Sequence, residues 1–202
     1  YAELIKMPEV NYAFNLINGK ITKELYPFHA SPHTEEVVKN GIKIGILEGL
    51  NDREMEVLAT SGAFHDSGFT EKYAHNEEIG QQIVEKYFKE NPKYTTEEMT
   101  IIKEAIGSTA VTVNERGEFV QLIQNNENKI ALILADADLS NLGTPEFFEK
   151  SKKVYVELVV HEKADKAGFE AFLEKMLATH KWQTKSARDM YEKKQADNLK
   201  IF

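Results

Sequence analysis

Apolar positions along this chain recur mostly at three- and four-residue spacing, the period of helices with one buried face. Val37, Val38, Gly41, Ile42 and Gly45 form one such stripe. Ser31-Pro32 ahead of it has the form of an N-cap followed by proline at the first helical position. Asn51-Asp52 opens a second helix with Met55, Leu58, Ala59, Gly62 and Ala63 on one side, and Gly68 stops the chain shortly afterwards. Asn76 can cap a third, carrying Ile79, Ile83, Tyr87 and Phe88 and ended by Asn91-Pro92. Thr95 to Glu98 reads as a capping box before Ile101, Ile102, Ala105 and Ile106. Ile130 to Leu142 is apolar nearly all round and predicts a central buried helix. Phe169, Phe172, Leu173, Met176 and Leu177 mark an amphipathic helix in the tail. Val111 to Glu118, with Arg116-Gly117 as a turn, is the least helical stretch. The β-branched run Val154 to Val160 is the one place where a strand competes. The pattern predicts an all-α, bundle-like domain.

Composition narrows this further. A chain of 202 residues has single-domain length, and no Pro/Gly/Ser-rich linker or internal repeat divides it. No apolar run is long enough to span a membrane, and Tyr1 to Val10 lacks a signal-peptide pattern, so a cytoplasmic location with no membrane partner is expected. The absence of cysteine excludes disulfides, thiolate metal sites and a Cys nucleophile. A net charge of −8 argues against general nucleic-acid binding. That charge is uneven: residues 150–202 carry +4 and residues 1–149 carry −12. The basic tail reads as solvated helix faces or, more sharply, as a contribution to an anionic-substrate pocket.

The chemistry lies in an ordered set: His33 at a helix start, the pair His65-Asp66 behind an apolar helix, and Asp136 and Asp138 inside an apolar run. Carboxylates in such a run are costly unless paired or coordinated. Two imidazoles and two carboxylates can hold one divalent ion; this donor set suits Mn, Fe, Ni, Co or Zn, and Mg when more water is retained. Four protein ligands on an octahedral ion leave two positions for water and a substrate oxygen. Residues two apart on a helix differ in direction by roughly 200°, so Asp136 and Asp138 cannot both face one ion. Asp138 shares its register with Ile130, Ile133, Leu134 and Ala137.

Four segments carry a family resemblance: Phe28 to Thr34, Ala63 to Phe69, Asn76 to Gly80, and Asp136 to Gly143. With these, the chain resembles the HD-domain superfamily of metal-dependent phosphohydrolases over a core of about 28–143, with 144–202 as a helical extension of a single 1–202 domain. The resemblance implies an all-helical HD-type bundle and one metal held by His33, His65, Asp66 and a late aspartate. Ala137-Asp138-Leu139-Ser140-Asn141 is similar to the ligand segment of the superfamily's cyclic-nucleotide phosphodiesterases, so Asp138 is the expected ligand and Asp136 a supporting or catalytic carboxylate. His29 matches the histidine that protonates the leaving oxygen there, although Phe28 replaces the usual Tyr. Glu77 or Asp136 is expected to orient or deprotonate the water.

Departures from the pattern are equally informative. Many members hold a second metal with two further histidines. This chain offers Ala74-His75-Asn76-Glu77 at one place and Ile106-Gly107-Ser108-Thr109 at the other, so one ion is expected. Lys72 and His75, in the loop after the metal pair, are expected to touch substrate. Trp182 reads as a packing anchor or a stacking surface for a base. The expected activity is hydrolysis of a small phosphorylated metabolite, a nucleotide by preference, as a monoester or diester. The alternatives are an iron-dependent oxygenase on the same fold and a non-catalytic ligand-binding module.

Overall fold

In a computed structural model, which describes residues 2–161 and 166–202, the chain is an all-α bundle with one small hairpin. The helices are α1 (Pro8–Lys20), α2 (Ser31–Leu47), α3 (Asp52–Phe64), α4 (Asn76–Glu90), α5 (Thr96–Gly107), α6 (Lys129–Asp138), α7 (Phe147–Val160), α8 (Lys166–Thr179) and α9 (Lys185–Leu199). Between α5 and α6, β1 (Val111–Val113) and β2 (Phe119–Gln121) pair antiparallel, with Thr112 opposite Val120. Gly117 turns the hairpin at φ +75°, a conformation open to glycine at little steric cost.

The local signals explain most boundaries. Asn51 and Thr95 each close a reciprocal capping box, with Glu54 and Glu98 respectively. Two starts fall one residue from their sequence signals. Helix α2 already includes Ser31 with Ala30 as its cap, and α4 begins at Asn76 behind a left-handed His75 at φ 59°. Val154 to Val160 is helical, because α7 buries Phe147, Ser151 and Glu157 on one stripe. The Ile130 to Leu142 run is not one helix. Regular helix ends at Asp138, Leu139 takes φ −91° and ψ 9°, and a 3₁₀ turn spans Ser140–Gly143. That turn brings Gly143 against α9 so closely that a Cβ there would lie 2.4 Å from Tyr191 Cβ.

One buried cluster joins residues from Leu4 to Tyr191, so the C-terminal helices share the core of the N-terminal ones. Trp182 is buried in it beside Tyr191, at 5.1 Å between ring centroids, which assigns it to packing. No helix among the described residues is long and apolar enough to cross a membrane. Residues 162–165, part of the expected helical tail, lie outside the described residues.

Candidate metal centre and cleft

Three helix ends converge on one point. Pro32 at the start of α2 leaves His33 in its first turn. His65 is the C-cap of α3, and Asp66 follows as the chain leaves the helix at φ −97°, ψ 4°. Asp138 closes α6. The chain then tightens into a 3₁₀ turn at Ser67–Thr70, where Ser67 Oγ donates to Phe64 O at 2.7 Å. Gly68 lets this turn touch the start of α4; a Cβ at 68 would sit 1.8 Å from Asn76 O. Asn40 on α2 donates to Ser140 Oγ at 2.8 Å and ties α2 to the turn after α6.

The four ligand atoms lie edge to edge. His33 Nε2 is 3.1 Å from Asp138 Oδ1 and 3.5 Å from Asp66 Oδ2. His65 Nε2 is 3.1 Å from Asp66 Oδ2 and 3.5 Å from Asp138 Oδ1. Donor atoms ~2.1 Å from a common ion stand ~3.0 Å apart at right angles and ~3.4 Å apart at a tetrahedral angle, so these edges match a coordination polyhedron. His65 Nε2 and Asp66 Oδ2 are buried with no hydrogen-bond partner. His65 Nδ1–H donates to Gly62 O at 2.7 Å, which leaves Nε2 free to act as the donor atom. The residues therefore fit a divalent ion. A second grouping of potential ligand atoms, His29, His33 and Asp66, overlaps the first.

The charges in this cluster are strongly coupled. Burial alone would lower the His65 pKa, but the carboxylates of Asp66 and Asp138 hold it well above the usual range. Burial would raise Asp66 and Asp138, yet the neighbouring imidazoles hold both below the usual carboxylate range. Protons and a divalent cation thus compete for the same atoms.

His29 stands at the edge of the cluster, its ring 5.6 Å from that of His33 between centroids. Its Nδ1 makes a short hydrogen bond with Glu157 Oε1, while Glu157 Oε2 accepts from the backbone N–H groups of Phe28 and His29, each at 3.0 Å. Glu157 is fully buried in α7 and fixes both the ring and the backbone of His29. Burial would lower the His29 pKa; the bond to Glu157 and the nearby Asp66 raise it above the usual value. The sequence reading missed Glu157. The available signal was the one that flagged Asp138, a carboxylate in an apolar run, here Val154 to Val160.

A cleft of about 280 Å³ opens beside the cluster, with His29, Asp66, Asn76, Glu77 and Asp138 among its lining. Burial, with the charge of Asp66, pushes Glu77 above the usual carboxylate value. Asn76 Oδ1 is buried without a partner. At the other expected second-metal position, Ser108 Oγ donates to Ala105 O and Ala131 O, and Thr109 Oγ1 donates to Ile106 O.

Three expected site residues lie elsewhere. Asp136 is buried on another face of α6, where it accepts from Gln183 N, Thr184 N and Thr184 Oγ1 at 2.7–2.8 Å. It anchors the segment that caps α9 and does not line the cleft, as the angular separation along α6 requires. Lys72 and His75 are solvent-exposed and do not line the cleft. His75 takes a left-handed backbone conformation and its exposed ring lies 3.9 Å from the Glu78 carboxylate. The tail reaches the cleft with uncharged side chains from α7 and α8 and not with its basic ones: among the described residues, no Lys or Arg lines it.

No protein-family model matches this sequence, and no curated protein or solved structure matches the chain, so the reading of this centre rests on its own geometry.

Proposed function

We propose that this chain is a metal-dependent phosphohydrolase, similar to the HD-domain superfamily, acting on a small phosphorylated metabolite such as a nucleotide. The convergence of His33, His65, Asp66 and Asp138 at 3.1–3.5 Å is the observation that carries this reading. One bound divalent ion (Mn, Fe, Ni, Co, Zn or Mg) supplies an acidified water and polarises the phosphoryl oxygen.

The chain's own groups handle the protons. Glu157 occupies His29 Nδ1, so Nε2 is the ring nitrogen left for the substrate. His29 donates its proton to the leaving oxygen as the bond from phosphorus to that oxygen breaks. A water oxygen bonds to phosphorus, and its proton passes to Glu77, whose carboxylate is made more basic than usual by burial. Ester and water become alcohol and phosphate. The apolar lining of the cleft limits competing water.

A phosphate-release screen over nucleotides, other monoesters and phosphodiesters, the diesters coupled to a phosphatase that frees phosphate from their monoester products, tests this with metal content measured on the same samples. The expected result is metal-dependent release that Asp66→Ala abolishes. His29→Ala should lower turnover by about 10²–10⁴-fold with metal content unchanged. Two irons per chain with oxygen consumption would replace this reading with an oxygenase. Ligand binding without turnover would replace it with a non-catalytic module.

A further inference from the structure

We infer that the substrate of this cleft is a phosphate monoester carrying a single phosphoryl group on an apolar alkyl or aromatic alcohol, and not a nucleoside di- or triphosphate. The inference rests on the phosphohydrolase reading and narrows it.

Charge is the first ground. Asp66, Glu77 and Asp138 all face the cleft, and among the described residues no Lys or Arg does. Polyphosphates are normally met by arginine or lysine as well as by metal ions. Asp66 and Asp138 already offset the charge of one divalent ion, so each phosphoryl group beyond the first would add negative charge beside Glu77 with no further cation in the described lining to meet it. One phosphoryl group can be satisfied by a divalent ion and His29.

The second ground is the rest of the wall. Helices α7 and α8 and the hairpin contribute Phe119, Phe147, Leu158, Phe172, Leu173 and Met176. Phe172 stands edge-on to Phe119, at 5.7 Å between centroids, and is only partly covered, as are Leu158 and Met176. These side chains line the same cleft as His29, Asp66 and Asp138, so an alcohol that leaves phosphorus with a proton from His29 has an apolar wall to lie against. The cleft, about 280 Å³, is at the small end of the size range for small-molecule sites, which suits a compact ester. In the reaction the water oxygen joins phosphorus and the apolar alcohol departs with one proton.

Calorimetry on the metal-loaded full chain tests this with probes that resist hydrolysis: benzylphosphonate, methylphosphonate, benzyl alcohol and, standing for ADP, its α,β-methylene analogue. Benzylphosphonate should bind at least about 10-fold more tightly than methylphosphonate, the scale of discrimination an apolar subsite provides. The ADP analogue should bind no more tightly than methylphosphonate. Phe172→Ala, at a partly exposed position, should shrink the benzyl preference to within about 3-fold and leave methylphosphonate binding unchanged. Met176→Ser, also partly exposed, should act in the same direction and covers the case in which Phe172→Ala fails to fold. Equal affinity for benzylphosphonate and methylphosphonate, or tightest binding of the ADP analogue, would overturn the inference and leave the phosphohydrolase reading standing. Benzylphosphonate binding no more tightly than benzyl alcohol would overturn the phosphohydrolase reading itself, and the phosphoryl half of the inference with it.

Discussion

Gly68 offers the sharpest mechanical test of how the site is held. It follows the His65-Asp66 pair and presses on the first residue of α4. A Cβ added there would lie 1.8 Å from Asn76 O, 2.6 Å from its carbonyl carbon and 2.8 Å from its Cα. All three are backbone atoms, so no side-chain rotation relieves the clash. In Gly68→Ala the carbonyl must retreat from 1.8 Å to beyond 3.0 Å, the distance below which Cβ contacts essentially never occur. Overpacking of this kind costs about 1–3 kcal/mol, and a backbone obstacle places the expected loss near the top of that range. The shift also carries Asn76 and Glu77 away from the cleft by more than an ångström, enough to lower turnover by about 10²-fold. Urea unfolding and phosphate release on the same preparation measure both effects. A Gly68→Ala protein with wild-type stability and wild-type turnover would show that the turn and α4 are not held against each other as described.

The two late aspartates should separate cleanly: Asp136→Ala should lose about 1–3 kcal/mol of stability through the unpaired donors of Gln183 and Thr184 yet keep its metal, whereas Asp138→Ala should lose the metal. Metal loss in the Asp136 variant with stability intact would reverse the assignment. His180 is buried beside Trp182, its Nε2 has no partner, and burial pushes its pKa down to about 4 from 6.5. Because the folded-state value is the lower one, its contribution is intact above pH 6.5 and is lost as pH falls towards 4. The loss should reach about 2 kcal/mol by pH 5, and unfolding midpoints of His180→Phe measured across this window should show a shallower slope than wild type. Glu157→Gln should reduce turnover by about 10–100-fold with metal content unchanged, since it removes the carboxylate that orients His29; unchanged turnover would place Glu157 in a purely structural role.

Much of this arrangement was legible in the sequence because local chemistry dictated it. The Asn51 and Thr95 capping boxes, the proline at the start of α2 and the apolar face of α8 each act through neighbouring residues and determined where helices lie. The candidate metal centre was legible for a different reason: His33, His65-Asp66 and Asp138 stand in an order that resembles a ligand set, and carboxylates inside apolar runs need partners. The same rule could not say which partner. The angular separation along α6, readable from their two-residue spacing, is what sends Asp136 to Thr184 and Asp138 to His33. Glu157 escaped notice because its partners, Phe28 and His29, lie far away in the chain and become neighbours only when α7 folds across them. Lys72 and His75 were placed by proximity in sequence, but both are solvent-exposed and do not line the cleft. The length of α6 was overestimated for a related reason. The apolar run continues past Asp138, but the chain bends there so that Gly143 can meet α9.

Metal stoichiometry, measured by elemental analysis after stripping and reloading with manganese, tests the central claim most directly. Wild type and His75→Ala should each retain one ion per chain, and His65→Ala and Asp66→Ala should retain none while keeping their helical spectra. An ion retained in both His65→Ala and Asp66→Ala, or lost in His75→Ala, would contradict the assignment of the centre to His33, His65, Asp66 and Asp138.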